Sequence, residues 1–93
     1  MILCLCLSPA LDLTYHVPEL RVDATNRVRH ARQRAGGKAV NVARVLHQLG
    51  EPVRLVAPVG GEAGAAFRAD LEQVGVPATL VEGRAETRRT VTA

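Results

Sequence analysis

The hydrophobic period of this chain changes several times within 93 residues, and that change limits the folds open to it. Ile2–Leu7 is a continuous apolar run of strand length, stopped by Ser8-Pro9. A run of this kind fits a strand covered on both faces, as in a parallel sheet. Leu11, Leu13, Tyr15 and Val17 then alternate with Asp12, Thr14 and His16, a period of two with one apolar and one polar face, up to Pro18. A weaker, arginine-rich extended segment is expected around Asn26–Ala31. Val42, Val45, Leu46 and Leu49 fall on one helical stripe, with Gly50 placed as its C′ stop. Val53–Ala57 is a second buried-strand run, ended by Pro58. Ala63, Phe67, Leu71 and Val74 form another helical stripe within Glu62–Val74, terminated by Gly75. Short strands are predicted at Thr79–Val81 and Thr90–Thr92. Strands alternating with helices predict an α/β fold of β-α-β units, mostly parallel, with right-handed crossovers. Two helices cover three parallel strands only in part, and the last strand runs to Ala93. Both features predict a piece of a larger domain.

Composition removes several function classes. Hydrophobic residues make up 47% and charged residues 23%, which is ordinary globular usage and not that of a disordered tail. Tyr15 and Phe67 are the only aromatics, too few for a stacking single-strand nucleic-acid binder. Met1–Leu7 is too short to span a membrane and has no basic flank, so neither a transmembrane helix nor a signal peptide is expected. Cys4 and Cys6 lie two apart on one strand, a poor disulfide geometry, with no second pair to complete a zinc site. Buried reduced thiols and a cytoplasmic protein follow.

The net charge is only +3, but Arg21, Arg27, Arg29, Arg32 and Arg34 cluster beside a single acid, Asp23. Such an excess either forms a solvated charged segment or attracts anions. A nucleic-acid surface would need a recognition helix, and these arginines lie in extended sequence. The sharpest local feature is Gly36-Gly37-Lys38-Ala39-Val40-Asn41, directly before the first helix. The glycines allow close backbone approach and positive φ. The helix start offers free N–H groups and partial positive charge. Lys38 adds a cation, and Asn41 a side chain that both donates and accepts. The combination suits a polyhydroxylated or anionic small molecule; a lone Gly-Gly would be only a tight turn. It is not a P-loop, because Arg32 and Ala39 stand where a Gly and a Ser or Thr are required. The dinucleotide spacing fails here and at Gly60-Gly61-Glu62-Ala63-Gly64, where close strand–helix packing is the expected use. Asp12 follows the exit of the first strand, and Thr87-Arg88 follows Thr79–Val81, so several polar groups converge on one sheet edge.

Ser8-Pro9-Ala10-Leu11-Asp12, the block Ala35–Leu46 and Thr87-Arg88 resemble, in order and spacing, the N-terminal third of the pfkB carbohydrate kinases. They are most similar to the phosphohexokinase branch of 1-phosphofructokinases and tagatose-6-phosphate kinases. The resemblance covers essentially all 93 residues. It implies the N-terminal part of a ribokinase-like parallel-sheet core with a small β lid, whose strands lie near 11–17, 26–31 and 88–92. It implies ATP-dependent phosphorylation of a sugar phosphate, with fructose 1-phosphate converted to fructose 1,6-bisphosphate. Tagatose 6-phosphate and fructose 6-phosphate are alternative substrates, and a non-catalytic sugar-phosphate-binding module is the alternative function. By the same resemblance Asp12 accepts from sugar hydroxyls, Gly36, Gly37 and Lys38 line the sugar pocket, and Asn41 hydrogen-bonds the substrate. Arg88 contacts the substrate phosphate, and Arg27 is a second candidate for that phosphate, from the lid or a dimer partner. ATP and Mg²⁺ are the implied cofactors, and a homodimer through the β lid is the implied assembly. Nucleic acid and membrane are not expected partners.

Two positions depart from the family pattern: Ala39 stands where Gly is usual, and Thr90 where Asn is common. The family's C-terminal Asp-Thr-x-Gly-Ala-Gly-Asp block, which carries the catalytic base and anion hole, does not occur in residues 1–93. No catalytic, cofactor-binding or metal-binding residue is therefore expected in this stretch. Phosphoryl transfer depends on positioning and charge stabilisation around the γ-phosphate. The 93-residue polypeptide incubated with ATP, Mg²⁺ and fructose 1-phosphate is expected to release no ADP, whereas turnover at a typical kinase rate of about 1–100 s⁻¹ would overturn this.

Overall fold

A computed structural model describes every residue except Ala24, Asn26, Arg29 and Ala93. Among the described residues the chain forms β1 (Ile2–Leu5), β2 (Ala10–His16), β3 (His30–Gly36), α1 (Lys38–Gln48), β4 (Val53–Val59), α2 (Gly61–Val74), β5 (Ala78–Glu82) and β6 (Arg88–Thr92). β1, β4 and β5 make a parallel sheet in the order β1-β4-β5. A second sheet, in the order β3-β2-β6, pairs β2 antiparallel with β3 and parallel with β6. The predicted α/β class, the parallel core and the separate small sheet are all present.

The core lies between the parallel sheet and the two helices. Cys4 of β1 and Val53, Leu55, Ala57 and Val59 of β4, with Cys6 just beyond the end of β1, which stops at Leu5 and not at Leu7, cluster with Val40, Ala43, Phe67 and Leu71. Cys4 and Cys6 are buried free thiols, as their spacing predicted. Phe67, Leu71 and Ala63 are buried as expected, but Val74 at the end of their stripe is exposed. Gly75 ends α2 in the left-handed region at φ 78°, and Gly50 follows α1 at φ 81°. A residue with a Cβ adopts that region at a cost, so both glycines stop their helices as the sequence indicates.

Four expectations need correction. β1 and β4 are covered on one face only: Leu3 and Leu5 are 64% and 58% exposed, and β4 alternates buried and open residues. The order β1-β4-β5 advances in one direction, and right-handed crossovers then set both helices on the same side. On α1 the face toward the sheet is Val40, Ala43 and Leu46, while Val42, Val45 and Leu49 are exposed. The apolar residues of α1 extend around two faces, and the one carrying Val40 and Ala43 meets the sheet. Pro58 does not end β4, which runs on to Val59. Residues of β4 bond alternately to its two neighbours, as shown by Cys6 N–H donating to Val56 O and Gly83 N–H to Val59 O. Pro58 therefore faces the β1 side, beyond the last β1 pair, Leu5–Val56, where no strand asks for its missing N–H. Among the described residues the arginine-rich strand is His30–Gly36. The expected segment Asn26–Ala31 includes Asn26 and Arg29, which lie outside the described residues. The strand runs further because β2 offers pairing partners from His16 back to Ala10, closing with Ala10–Gly36.

No helix among the described residues is long and apolar enough to cross a membrane. Phe67 is wholly enclosed at the centre of the core. Phe67→Ala is expected to cost about 3–5 kcal/mol of stability, read as a fall in the denaturant midpoint. The open apolar residues Leu3, Leu5, Val42 and Val45 predict that the 93-residue polypeptide binds a hydrophobic dye. A sharp melt without dye uptake would contradict that.

Candidate functional site

The second sheet has two unlike faces, because side chains alternate along each strand. Cross-strand register puts Asp12 beside Arg34 and Thr90, Thr14 beside Arg32 and Thr92, and Ala10 beside Gly36 and Arg88. These residues share one polar face. The other face carries Leu11, Leu13 and Tyr15, with Leu11 buried. The alternation read from the sequence thus separates a packing face from a polar one.

Asp12 is half-buried on the polar face. Its Oδ1 accepts a hydrogen bond from Thr90 Oγ1 at 2.7 Å. The rest of the carboxylate lies against Gly36, so closely that a methyl group there would overlap it. Gly36 is therefore needed for close approach, while Gly37 is needed for conformation, at φ 118°. Gly37 caps α1 without any side-chain hydrogen bond, and no acidic residue occupies the first turn. Among the described residues, no side-chain cap and no first-turn acid meets the first N–H groups of α1.

The N-terminus of α2 differs. Glu86 Oε1 accepts from Ala63 N–H at 3.1 Å, and Thr87 Oγ1 accepts from Gly60 N–H at 3.1 Å. Side chains at Gly60, Gly61 or Gly64 would crowd Ala85, Glu86 or Thr87 respectively. This second glycine cluster packs a loop against a helix start, as expected, and its anion position is filled by the protein's own carboxylate.

Arg88 reaches across to the turn after β1. Its Nε donates to Ser8 Oγ at 3.1 Å and its Nη2 to Ser8 O at 3.2 Å. A guanidinium has five donors, so those on Nη1 and one on Nη2 are left by these two bonds. Arg88, Lys38, Ala39 and residues Leu5 to Ser8 line an open cleft of about 310 Å³ at the start of α1. That volume is at the lower end of small-molecule sites, roughly 300–1,000 Å³. Asp12, Thr14, His16, Arg32, Gln33 and Arg34 line a second, polar cleft of about 170 Å³. The Thr90–Asp12 bond and the shared face of Arg88 and Thr90 on β6 connect the two.

The structure thus places Lys38 and Arg88 in one cleft and Asp12 in the other, against Gly36, with Gly37 joining Gly36 to Lys38. Asn41 and Arg27 line neither cleft. Asn41 is exposed one turn into α1, where its N–H donates to Gly37 O, and Arg27 is exposed in the β2–β3 connection. Ala39 departs from the family pattern without strain, because Gly37, not residue 39, takes the positive φ. Thr90, the other departure, supplies the hydroxyl bonded to Asp12.

Sequence reasoning gave no role to Ser8, Arg44 or Asp70. Ser8 orients Arg88 from 80 positions away, a pairing with no local signal. Arg44 Nη2 donates to Ala35 O at 2.7 Å and lies 3.3 Å from Asp70 Oδ2, which also accepts from Ala35 N–H at 2.8 Å. Arg44 and Asp70 stand on helical faces that read as solvated, and only the packing of α1 beside α2 makes them a pair.

The arrangement presents a carboxylate for hydroxyl groups and, at an uncapped helix N-terminus, two cationic side chains for an anion. The family model described as pfkB family carbohydrate kinase matches residues 1–93. Phosphofructokinase-2 from Escherichia coli in complex with fructose 6-phosphate is similar at 30% identity and a TM-score of 0.91, over 97% of this chain and 30% of that one. The tetrameric inhibited form of the same enzyme gives the same identity, coverage and TM-score. A Thermotoga maritima structure described as a "possible 1-phosphofructokinase" is similar at 27% identity and a TM-score of 0.85, over 97% of this chain and 30% of that one. The chain spans about 30% of the length of these solved proteins. Matched by the family model from its first residue to its last, and sharing a ribokinase-like fold with these kinases, the chain belongs to the pfkB family of carbohydrate kinases.

Proposed function

We propose that this chain is the sugar-phosphate side of an ATP-dependent phosphohexokinase, with fructose 1-phosphate as the first substrate to test. The observation that carries this reading is that Lys38 and Arg88 line one cleft at the uncapped start of α1, with Asp12 against Gly36 just before that start. Asp12, held by Thr90, accepts from sugar hydroxyls through its remaining lone pairs. Arg88, oriented by Ser8, donates to the substrate phosphate. A charge-assisted contact of this kind contributes about 1.5–3 kcal/mol, enough to favour a sugar phosphate over a free sugar. Lys38 and the α1 amides add positive potential beside it. Gly36 and Gly37 bring the backbone to the substrate. Asn41 and Arg27 belong to this reading on the resemblance alone, with Arg27 acting from the lid or across a lid-mediated dimer.

These residues bind and orient. The base that takes the hydroxyl proton, and the nucleotide site, are assigned to further sequence of the kinase. The described residues hold no group of three His, Cys, Asp or Glu suited to a metal ion, and ATP and Mg²⁺ belong to this reading through the family. A cytoplasmic location is part of the same reading. Fructose 6-phosphate is the second substrate to test, because the E. coli relative at 30% identity was solved with it. Tagatose 6-phosphate is a third.

The natural full-length protein, given ATP, Mg²⁺ and each sugar phosphate, is expected to release ADP with one of them. Binding of a sugar phosphate without turnover would favour the non-catalytic module instead. Arg88→Ala should lower kcat/KM for the sugar phosphate roughly 10- to 150-fold and leave the KM for ATP nearly unchanged. If it depresses the phosphorylated sugar and its unphosphorylated analogue equally, Arg88 does not bind the phosphate. Asp12→Ala should reduce activity on every sugar phosphate tried. Gly36→Ala drives a methyl into the Asp12 carboxylate and should raise the sugar-phosphate KM. A Gly36→Ala enzyme with unaltered KM would separate Asp12 from the site.

A further inference from the structure

β3 is an edge strand, and the last part of that edge is buried. Ala35 has no exposed surface. A buried edge peptide needs partners for its N–H and C=O, and no strand supplies them there. Asp70 from α2 accepts from its N–H at 2.8 Å, and Arg44 from α1 donates to its C=O at 2.7 Å. The two side chains, 12% and 19% exposed, are themselves 3.3 Å apart. Their ion pair stands in for a neighbouring strand at one peptide.

The residue held in this way is the one before Gly36. Gly36 lies on the Asp12 carboxylate, and Gly37 begins α1 beside Lys38. Arg44 makes a costly partner for a merely structural purpose. Its Nε is buried without a hydrogen-bond partner, and a buried pair loses hydration that an apolar pair would not. What Arg44 and Asp70 add over an apolar contact is direction: both polar atoms of one peptide are pinned, from two different helices. We infer that Arg44 and Asp70 are positioning residues for the sugar-phosphate site, holding Ala35 so that Gly36 and Gly37 stay registered against Asp12 and the start of α1. This rests on the function proposed above.

The test uses the natural full-length protein and the variants Arg44→Lys, Asp70→Ala and Asp70→Asn. Arg44→Lys keeps the charge but loses the planar fork, and Asp70→Asn keeps an acceptor for Ala35 N–H. Arg44→Lys and Asp70→Ala should raise the sugar-phosphate KM roughly tenfold to a hundredfold, with the ATP KM within about twofold of the unmutated protein. Asp70→Asn should recover most of the loss. Amide hydrogen exchange should quicken at Ala35–Lys38 and not at Leu55 in the core. The inference is overturned if the sugar-phosphate KM stays put. It is also overturned if both KM values rise together and exchange quickens at Leu55 as well, since that describes general loosening. If the unmutated protein phosphorylates no sugar phosphate, the proposed function fails. Exchange then decides the clamp by itself: selective quickening at Ala35–Lys38 upholds it, and unchanged exchange there overturns it.

Discussion

The contact between the Asp12 carboxylate and Gly36 fixes two strands of the second sheet against each other just before the first helix begins. Asp12 comes from the middle sheet-two strand, and Gly36 ends the edge strand beside it. Only a residue without a side chain allows the carboxylate so near. The next residue, Gly37, turns the chain at φ 118° into α1, so the helix start is delivered to the same place. A Cβ at position 36 would displace the Asp12 carboxylate from this position.

Around that contact the protein uses long-range polar bonds where local ones are absent. Ser8 holds Arg88, Thr90 holds Asp12, and Arg44 with Asp70 holds Ala35. Each bond fixes a group whose own secondary structure would leave it free to move. The two helix starts show the same logic in contrast. One is closed by Glu86 from the loop before β6, and the other is left without a carboxylate of its own. The chain fills one helix start with its own carboxylate, and the proposed function gives the other, open start to the substrate anion.

The hydrophobic distribution follows from topology more than from composition. Both crossover helices lie on one side of β1-β4-β5, so the apolar residues of the opposite face remain open along this chain. The exposed stripe Val42, Val45 and Leu49 has the same origin: α1 has apolar residues on more faces than one parallel sheet can cover. These are the surfaces of a chain about 30% as long as the kinases it is similar to.

The order of strands and helices, the glycine stops at Gly50 and Gly75, and the Gly36-Gly37-Lys38 helix start were legible in the residues themselves. They depend on local chemistry: side-chain period, positive φ and the breaks made by proline. The face of α1 that meets the sheet, the passage of β4 through Pro58 and the true bounds of β3 were not legible. Each depends on where a neighbouring strand ends or which side a crossover takes. The candidate site divides along the same line. Asp12, Gly36, Gly37, Lys38 and Arg88 could be named from motifs, because their residue types announce their chemistry. Ser8, Arg44 and Asp70 could not. A serine in a turn and two charges on helix faces read as solvated until packing brings them, over separations of 80, 9 and 35 residues, to the atoms they hold. Sequence determined which groups exist and which backbone turns are possible; tertiary structure alone decided which of them meet, because hydrogen bonds and close contacts act over a few ångströms and carry no trace in the spacing of the chain.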